Sequence, residues 1–178
     1  MHIGALRCAI FLKEKPRELN SCRGTPVGEL LEMVLWRISL FHDLSGRGGL
    51  KYSARWHAAG NPVVYLAESP AGALLESCVH LAVEDVPPTF TLLRIVGPEI
   101  ATEEILMEQL PGGWMSRSLV TQQIGTLWLE SRRSAVLRVP SALVPETTNY
   151  LLNPVHPDAG LFQIERSYKY PFDLRLKR

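Results

Sequence analysis

Pro62-Val63-Val64-Tyr65-Leu66-Ala67, followed at once by Glu68-Ser69-Pro70-Ala71-Gly72-Ala73-Leu74-Leu75-Glu76, decides how this chain folds. The first run is short, β-branched and aromatic, which predicts a strand. Ser69 then offers a hydroxyl to the free amides of a first helical turn. Pro70 can take the first helical position without losing a hydrogen bond. Ala71, Leu74, Leu75, Cys78, Val79 and Ala82 recur at helical spacing and predict a buried stripe. Pro87-Pro88 marks the point where that helix must have stopped. A strand passing directly into a capped helix indicates an α/β fold.

The pattern repeats outward. Val34 to Ile38, Thr89 to Val96 and Ala135 to Val139 read as further strands, and Leu161 to Arg166 and Phe172 to Leu176 as late ones. Leu119 to Ser131 reads as a helix with Val120, Ile124, Leu127 and Trp128 on one side. Residues 33–178 are expected to form one domain. Residues 1–32 read differently, with the charge run Lys13-Glu14-Lys15-Pro16-Arg17-Glu18 followed by Asn20, Ser21, Gly24, Pro26 and Gly28. They are expected to be a mobile N-terminal extension, with an extended reading frame as the other explanation.

The bulk numbers exclude several classes. A chain of 178 residues suits one domain, and 46% hydrophobic with 21% charged residues matches a globular protein. A net charge of +1 gives no electrostatic ground for direct binding to nucleic acid or an anionic membrane. Cys8, Cys22 and Cys78 are odd in number and share no metal or redox spacing, which points to a reducing, cytoplasmic setting. No apolar run approaches the roughly 18 residues of a membrane span. Ile3 to Leu12 carries Arg7 and no cleavage site, so it does not read as a signal peptide.

Three polar residues stand out because they sit in apolar, structured segments far apart in sequence. Arg55 lies in Tyr52-Ser53-Ala54-Arg55-Trp56-His57 and offers a planar fork that matches phosphate oxygens. It could instead pack on Trp56 at the surface. Glu76 has the small neighbours Gly72 and Ala73, which would let a ligand approach, although a glutamate on a helix is more often simply solvated. Ser141 follows Pro140 at a strand end, where its hydroxyl could meet a ligand or cap the turn through Ala142 and Leu143. Gly46-Arg47-Gly48-Gly49 lacks both the Walker and the dinucleotide spacing and reads as a flexible loop. His57, His80 and His156 have no metal-ligand spacing, and no metal site is expected.

A series of fragments runs in order from Trp36 to Leu176. It comprises Trp36-Arg37, Gly48-Gly49, Ala54-Arg55-Trp56-His57, Val64-Tyr65 with Ala67, and Ala73-Leu74-Leu75-Glu76. Leu110-Pro111-Gly112-Gly113-Trp114, Gly125-Thr126-Leu127-Trp128-Leu129 and Leu137-Arg138-Val139-Pro140-Ser141 follow. Asn149 to Pro157, with its core Asn153-Pro154-x-His156-Pro157, and Phe172-Asp173-x-Arg175 complete it. In this order they resemble the RES domain, a family named for its arginine, glutamate and serine.

The resemblance implies a compact α/β (α+β) domain similar to ADP-ribosyltransferases, with mixed β-sheets around a central NAD cleft. It implies that Arg55 and Arg37 bind the pyrophosphate or ribose, that Tyr65 stacks on or flanks nicotinamide, and that Glu76 is the catalytic carboxylate. Ser141 would support the ligand, and His156 would line the same cleft. NAD would be a substrate, with no prosthetic group. NAD breaks at its nicotinamide bond through an oxocarbenium-like state, which a fixed carboxylate stabilises.

The function so implied is a toxin of a toxin–antitoxin system that degrades NAD with water or phosphate as acceptor. An ADP-ribosyltransferase acting on a cellular protein is the alternative, and an inactive antitoxin-binding module is a third reading of another class. The implied partner is a Xre-type helix-turn-helix antitoxin that obstructs the cleft and itself carries the DNA contacts. A homodimer within that complex stays open.

Overall fold

The computed structural model describes residues 32–177, so the expectation for the N-terminal extension lies outside the described residues except at Glu32. Strands β1 (Glu32–Ile38), β2 (Val64–Ala67), β3 (Thr89–Pro98), β4 (Glu103–Glu104), β5 (Val136–Pro140), β6 (Thr148–Leu152) and β7 (Gln163–Pro171) form one sheet. Its order is β4-β5-β6-β2-β1-β3-β7. Neighbours are antiparallel except β4 and β5, which run parallel. Together with helices α1 (Gly48–Lys51), α2 (Pro70–Cys78) and α3 (Ser118–Ser131), this gives a mixed α/β domain.

Alternation along the strands builds two layers of core. Leu35, Val64, Leu66, Leu93, Ile95, Val136, Tyr150 and Leu152 bury on one face beneath Ala159 and Phe162. Leu137, Val139 and Leu151 bury on the other against Trp128 and Leu129 of α3, with Trp56 and Trp114. Ala67 and Leu92 meet Ala73 of α2 in a third, smaller cluster.

The sheet is not evenly knit. β1 pairs with β3 along its whole length, from Glu32↔Pro98 to Ile38↔Leu92. With β2 it pairs at Trp36↔Ala67 alone. Past that pair Arg37 and Ile38 make no ladder pair with Leu66 and Tyr65.

Several local expectations are corrected. The Ser69 cap is present, its Oγ accepting from Gly72 N at 3.1 Å. Yet α2 ends at Cys78, and its inward residues are Ala73 and Cys78. Leu75 and Val79 are 43% and 51% exposed, and Ala71 and Ala82 are exposed too. The small face of the helix goes inward because Gly72 and Ala73 can lie flush on Ala67, whereas leucines there would hold the helix off the sheet.

In α3 the expected side holds in part, with Trp128 buried and Ile124 packed against the core. Thr121, Gly125, Trp128 and Leu129 face inward, while Leu127 is 66% exposed. Gly46 to Gly49 is not a flexible loop. Gly46 has φ +65°, its carbonyl accepts from Gly49 N and Val63 N, and a Cβ there would meet Val63 N at 2.5 Å. Phe172 to Leu176 is not a strand, because Asp173 Oδ1 accepts from Arg175 N and curls the chain into a 3-10 turn. β6 was not anticipated at all.

Leu151 is fully buried between β2 and β5. Leu151→Ala is expected to lower unfolding free energy by about 2–5 kcal/mol, read from urea denaturation monitored by tryptophan fluorescence.

Candidate active site

The opening between β1 and β2 is a cavity of about 360 Å³, within the size range of small-molecule sites. Trp36, Arg37 and Ile38 form one wall, Tyr65, Leu66 and Ala67 the other. The segment Ala54-Arg55-Trp56, the helix α2 and Asn149 of β6 close it.

Glu76 reaches the cavity because it lies one helical turn after Ala73, the residue that α2 seats on the sheet. Its Oε1 accepts from Ser141 Oγ at 2.7 Å and from Asn149 Nδ2 at 2.6 Å. Ser141 is 3% exposed. Its Oγ in turn accepts from Leu143 N at 3.1 Å and Val144 N at 3.2 Å. Two backbone amides thus polarise the hydroxyl that grips the carboxylate, so capping the turn and serving the site are one act. Both donors meet the same oxygen, and Oε2 has no partner among the described residues.

Two guanidinium groups share the cavity with that carboxylate. Arg37 donates from Nη1 to Asp43 O at 3.1 Å. Burial lowers its pKa, with the Asp43 carboxylate opposing. Arg55 has a buried Nη1 that meets no hydrogen-bond acceptor. A buried guanidinium N–H without a partner costs about 1–3 kcal/mol or more, so its presence marks a place where an acceptor is expected from outside the chain.

Tyr65 is fixed at its oxygen, which accepts from Trp56 N at 3.1 Å and lies 2.9 Å from His57 Nδ1. Burial drives its phenol far above its usual range, with the Trp56 amide and the Arg55 charge pulling the other way. The ring therefore stands in the cavity wall as a neutral, oriented surface.

Residues 34–173 match the model of the RES domain. The chain belongs to that family. A Toxin Res from Pseudomonas putida is 49% identical over 135 residues, covering 75% of this chain and 92% of that protein. A Prs ADP-ribosylating toxin from a Sphingobium species is 39% identical over 141 residues, covering 76% and 88%. In the crystal structure of the M. tuberculosis MbcT–MbcA toxin–antitoxin complex, one chain shares the fold with a TM-score of 0.63 at 17% identity, over 79% of this chain and 85% of that one.

In this RES domain Arg37, Arg55, Tyr65 and Glu76 line one cavity, and Ser141 stands directly behind Glu76. His156 does not line it. Asn149 pairs with Ala67 at the cavity end of β2, while Leu152 pairs with Val64 at the far end. The chain reaches His156 only after that, and its Nδ1 accepts from Asp158 N at 3.1 Å to cap a 3-10 turn. Asn149 was given no role from sequence. The signal for it is a side-chain amide immediately before the buried run Tyr150-Leu151-Leu152. Among the described residues no group of three or more metal-ligating side chains occurs, and no helix is long and apolar enough to cross a membrane.

Burial lowers the pKa of His57 from 6.5, against the opposing pull of the Gly49 and Tyr52 backbone. The unfolded chain then binds the proton more readily than the folded one, so stability is held above pH 6.5 and lost as pH falls below it. Urea midpoints measured across pH 5 to 8 are expected to decline on the acid side, and His57→Gln is expected to flatten that decline.

Proposed function

We propose that this RES domain is a toxin that consumes NAD by cleaving the bond between nicotinamide and ribose. The observation that carries the reading is the Glu76 carboxylate, clamped through one oxygen by Ser141 and Asn149, in the same cavity as the unpartnered Nη1 of Arg55. A dinucleotide presents an anionic diphosphate to the arginines and a bond that breaks through developing positive charge beside the carboxylate.

One carboxylate suffices for this chemistry. When the C1′–N1 bond breaks, its electron pair moves onto the positively charged pyridinium nitrogen, and nicotinamide departs neutral. No acid has to protonate the leaving group, unlike an ordinary glycoside, which uses two carboxyl groups. Glu76 stabilises the cationic ribose and holds a ribose hydroxyl. The oriented Tyr65 ring gives the nicotinamide plane a surface. Arg55 and Arg37 bind the diphosphate. The acceptor then bonds to that same anomeric carbon: water yields ADP-ribose and a proton, and phosphate yields ADP-ribose phosphorylated at that carbon.

A second reading has the same first half, with a protein side chain as acceptor. It draws support from the Sphingobium relative, which is named an ADP-ribosylating toxin. The relatives named as toxins and the fold shared with a toxin–antitoxin complex support an antitoxin as partner. In this proposal that antitoxin is of the Xre helix-turn-helix type and blocks the cavity.

Purified protein with NAD, with and without phosphate, is expected to release nicotinamide and a mass matching ADP-ribose or its phosphate. Glu76→Gln is expected to lower that rate by about 10²–10³-fold, and Asn149→Ala by about tenfold. NAD that stays intact until a cellular extract is added would move the assignment to the transferase. A Glu76→Gln protein as growth-inhibiting as its parent would leave only an antitoxin-binding role.

A further inference from the structure

We infer that α3 is the positioning element for Arg55, acting through Thr121, Gln122, Gly125 and Thr126, and that it thereby sets affinity for the diphosphate part of the substrate. This rests on the dinucleotide reading of the cavity.

Arg55 stands on no regular element. It lies between Ala54, which makes an isolated bridge with His57, and the buried Trp56. A guanidinium at the end of a long side chain can be held in one place only if the backbone beneath it is fixed. One face of α3 supplies that fixing, residue by residue.

Thr121 Oγ1 donates to Arg55 O at 2.6 Å, shorter than its 3.0 Å approach to Ser118 O within the helix. Gln122 Nε2 donates to Ala54 O at 2.9 Å. Thr126 Oγ1 accepts from Ala58 N at 3.0 Å. Between them Gly125 brings the helix against the segment, since a Cβ at that position would fall 1.7 Å from Trp56 O.

The arrangement is not what helix stability would select. Glycine inside a helix costs about 1 kcal/mol relative to alanine, and a buried threonine and a half-buried glutamine occupy a face where leucines would pack. Thr121 is 0% exposed. All four residues spend their chemistry on the main chain of residues 54–58 rather than on the sheet. The beneficiary is the one cavity-lining side chain of that segment with an unpartnered buried donor, Arg55 Nη1. Carbonyls 54 and 55 both accept from α3, so the peptide planes on either side of the Arg55 Cα cannot rotate independently, and the point from which the guanidinium projects into the cavity is fixed before substrate arrives.

The test compares the parent protein with Thr121→Val, Thr121→Ser and Gln122→Ala, following NAD cleavage, ADP-ribose binding by calorimetry and product inhibition by nicotinamide. Thr121→Val and Gln122→Ala are expected to raise KM for NAD and Kd for ADP-ribose by about tenfold, with kcat held within about threefold. Inhibition by nicotinamide, which has no phosphate, is expected to hold its parental constant, and Thr121→Ser to restore KM. Parental KM in both variants, or equal losses for ADP-ribose and nicotinamide, would overturn the role of α3 while leaving the dinucleotide reading intact. Parent protein that splits no NAD and binds no ADP-ribose would overturn the dinucleotide reading, and this role with it.

Discussion

A single register pair, Trp36 with Ala67, ties the two halves of the sheet together. On one side β1 is fully committed to β3, and on the other β2 is fully committed to β6. Each central strand therefore keeps one complete ladder, and the missing rungs between them do not unravel either half. The gap so created is lined by strand residues from two directions, which is how Arg37 and Tyr65, far apart in sequence, face one space. Buried backbone groups in such a gap need partners, and a bound ligand is one source of them. Both site and fold depend on the pairing stopping where it does.

Two of the three charges in that space, Arg37 and Glu76, are held by partners that are not each other. Arg37 is tied to the Asp43 carbonyl, and Glu76 Oε1 is saturated by a hydroxyl and an amide. No ion pair joins Glu76 to either arginine among the described salt bridges. Neutral donors hold the carboxylate in place without cancelling its charge. A guanidinium in the same position would have neutralised it and removed the field that a cationic transition state needs. Asn149 and Ser141 are thus better clamps than arginine or lysine would be, which explains why uncharged residues flank the one acid of the cavity.

How much of this could be read in the sequence follows from how local each feature is. Val64 to Ala67 and Thr89 to Val96 were legible because β-branched runs fix a strand without outside help, and Ser69-Pro70 because a cap is a local bond. The helix faces were legible only in part, at Cys78, Ile124 and Trp128. Reading amphipathicity assumes that the largest apolar side chains turn inward, but α2 and α3 bring Ala73, Thr121 and Gly125 inward to gain close approach to a sheet and to a loop. Arg55, Glu76 and Ser141 stood out as polar residues in apolar settings. Their mutual geometry did not, because it comes from contacts across sixty-five or more positions. His156 shows the limit of carrying a residue by its motif, since a conspicuous histidine beside proline turned out to be a cap.

The close approach of α3 also bears on why the site is rigid while its key arginine is left unsatisfied. An orphaned buried donor is tolerated only if the structure cannot relax to pair it. The nearest relief would be for the Arg55 side chain or its carbonyls to rearrange, and α3 blocks the second route by holding both flanking carbonyls. Trp56, buried against Trp114 with ring centroids 5.9 Å apart, blocks the wholesale displacement of the segment. An acceptor entering the cavity would satisfy that donor without moving the segment. Stability is given up at Gly125 and at Arg55 Nη1 in one connected piece of structure, which is the pattern expected where folding and binding compete for the same residues.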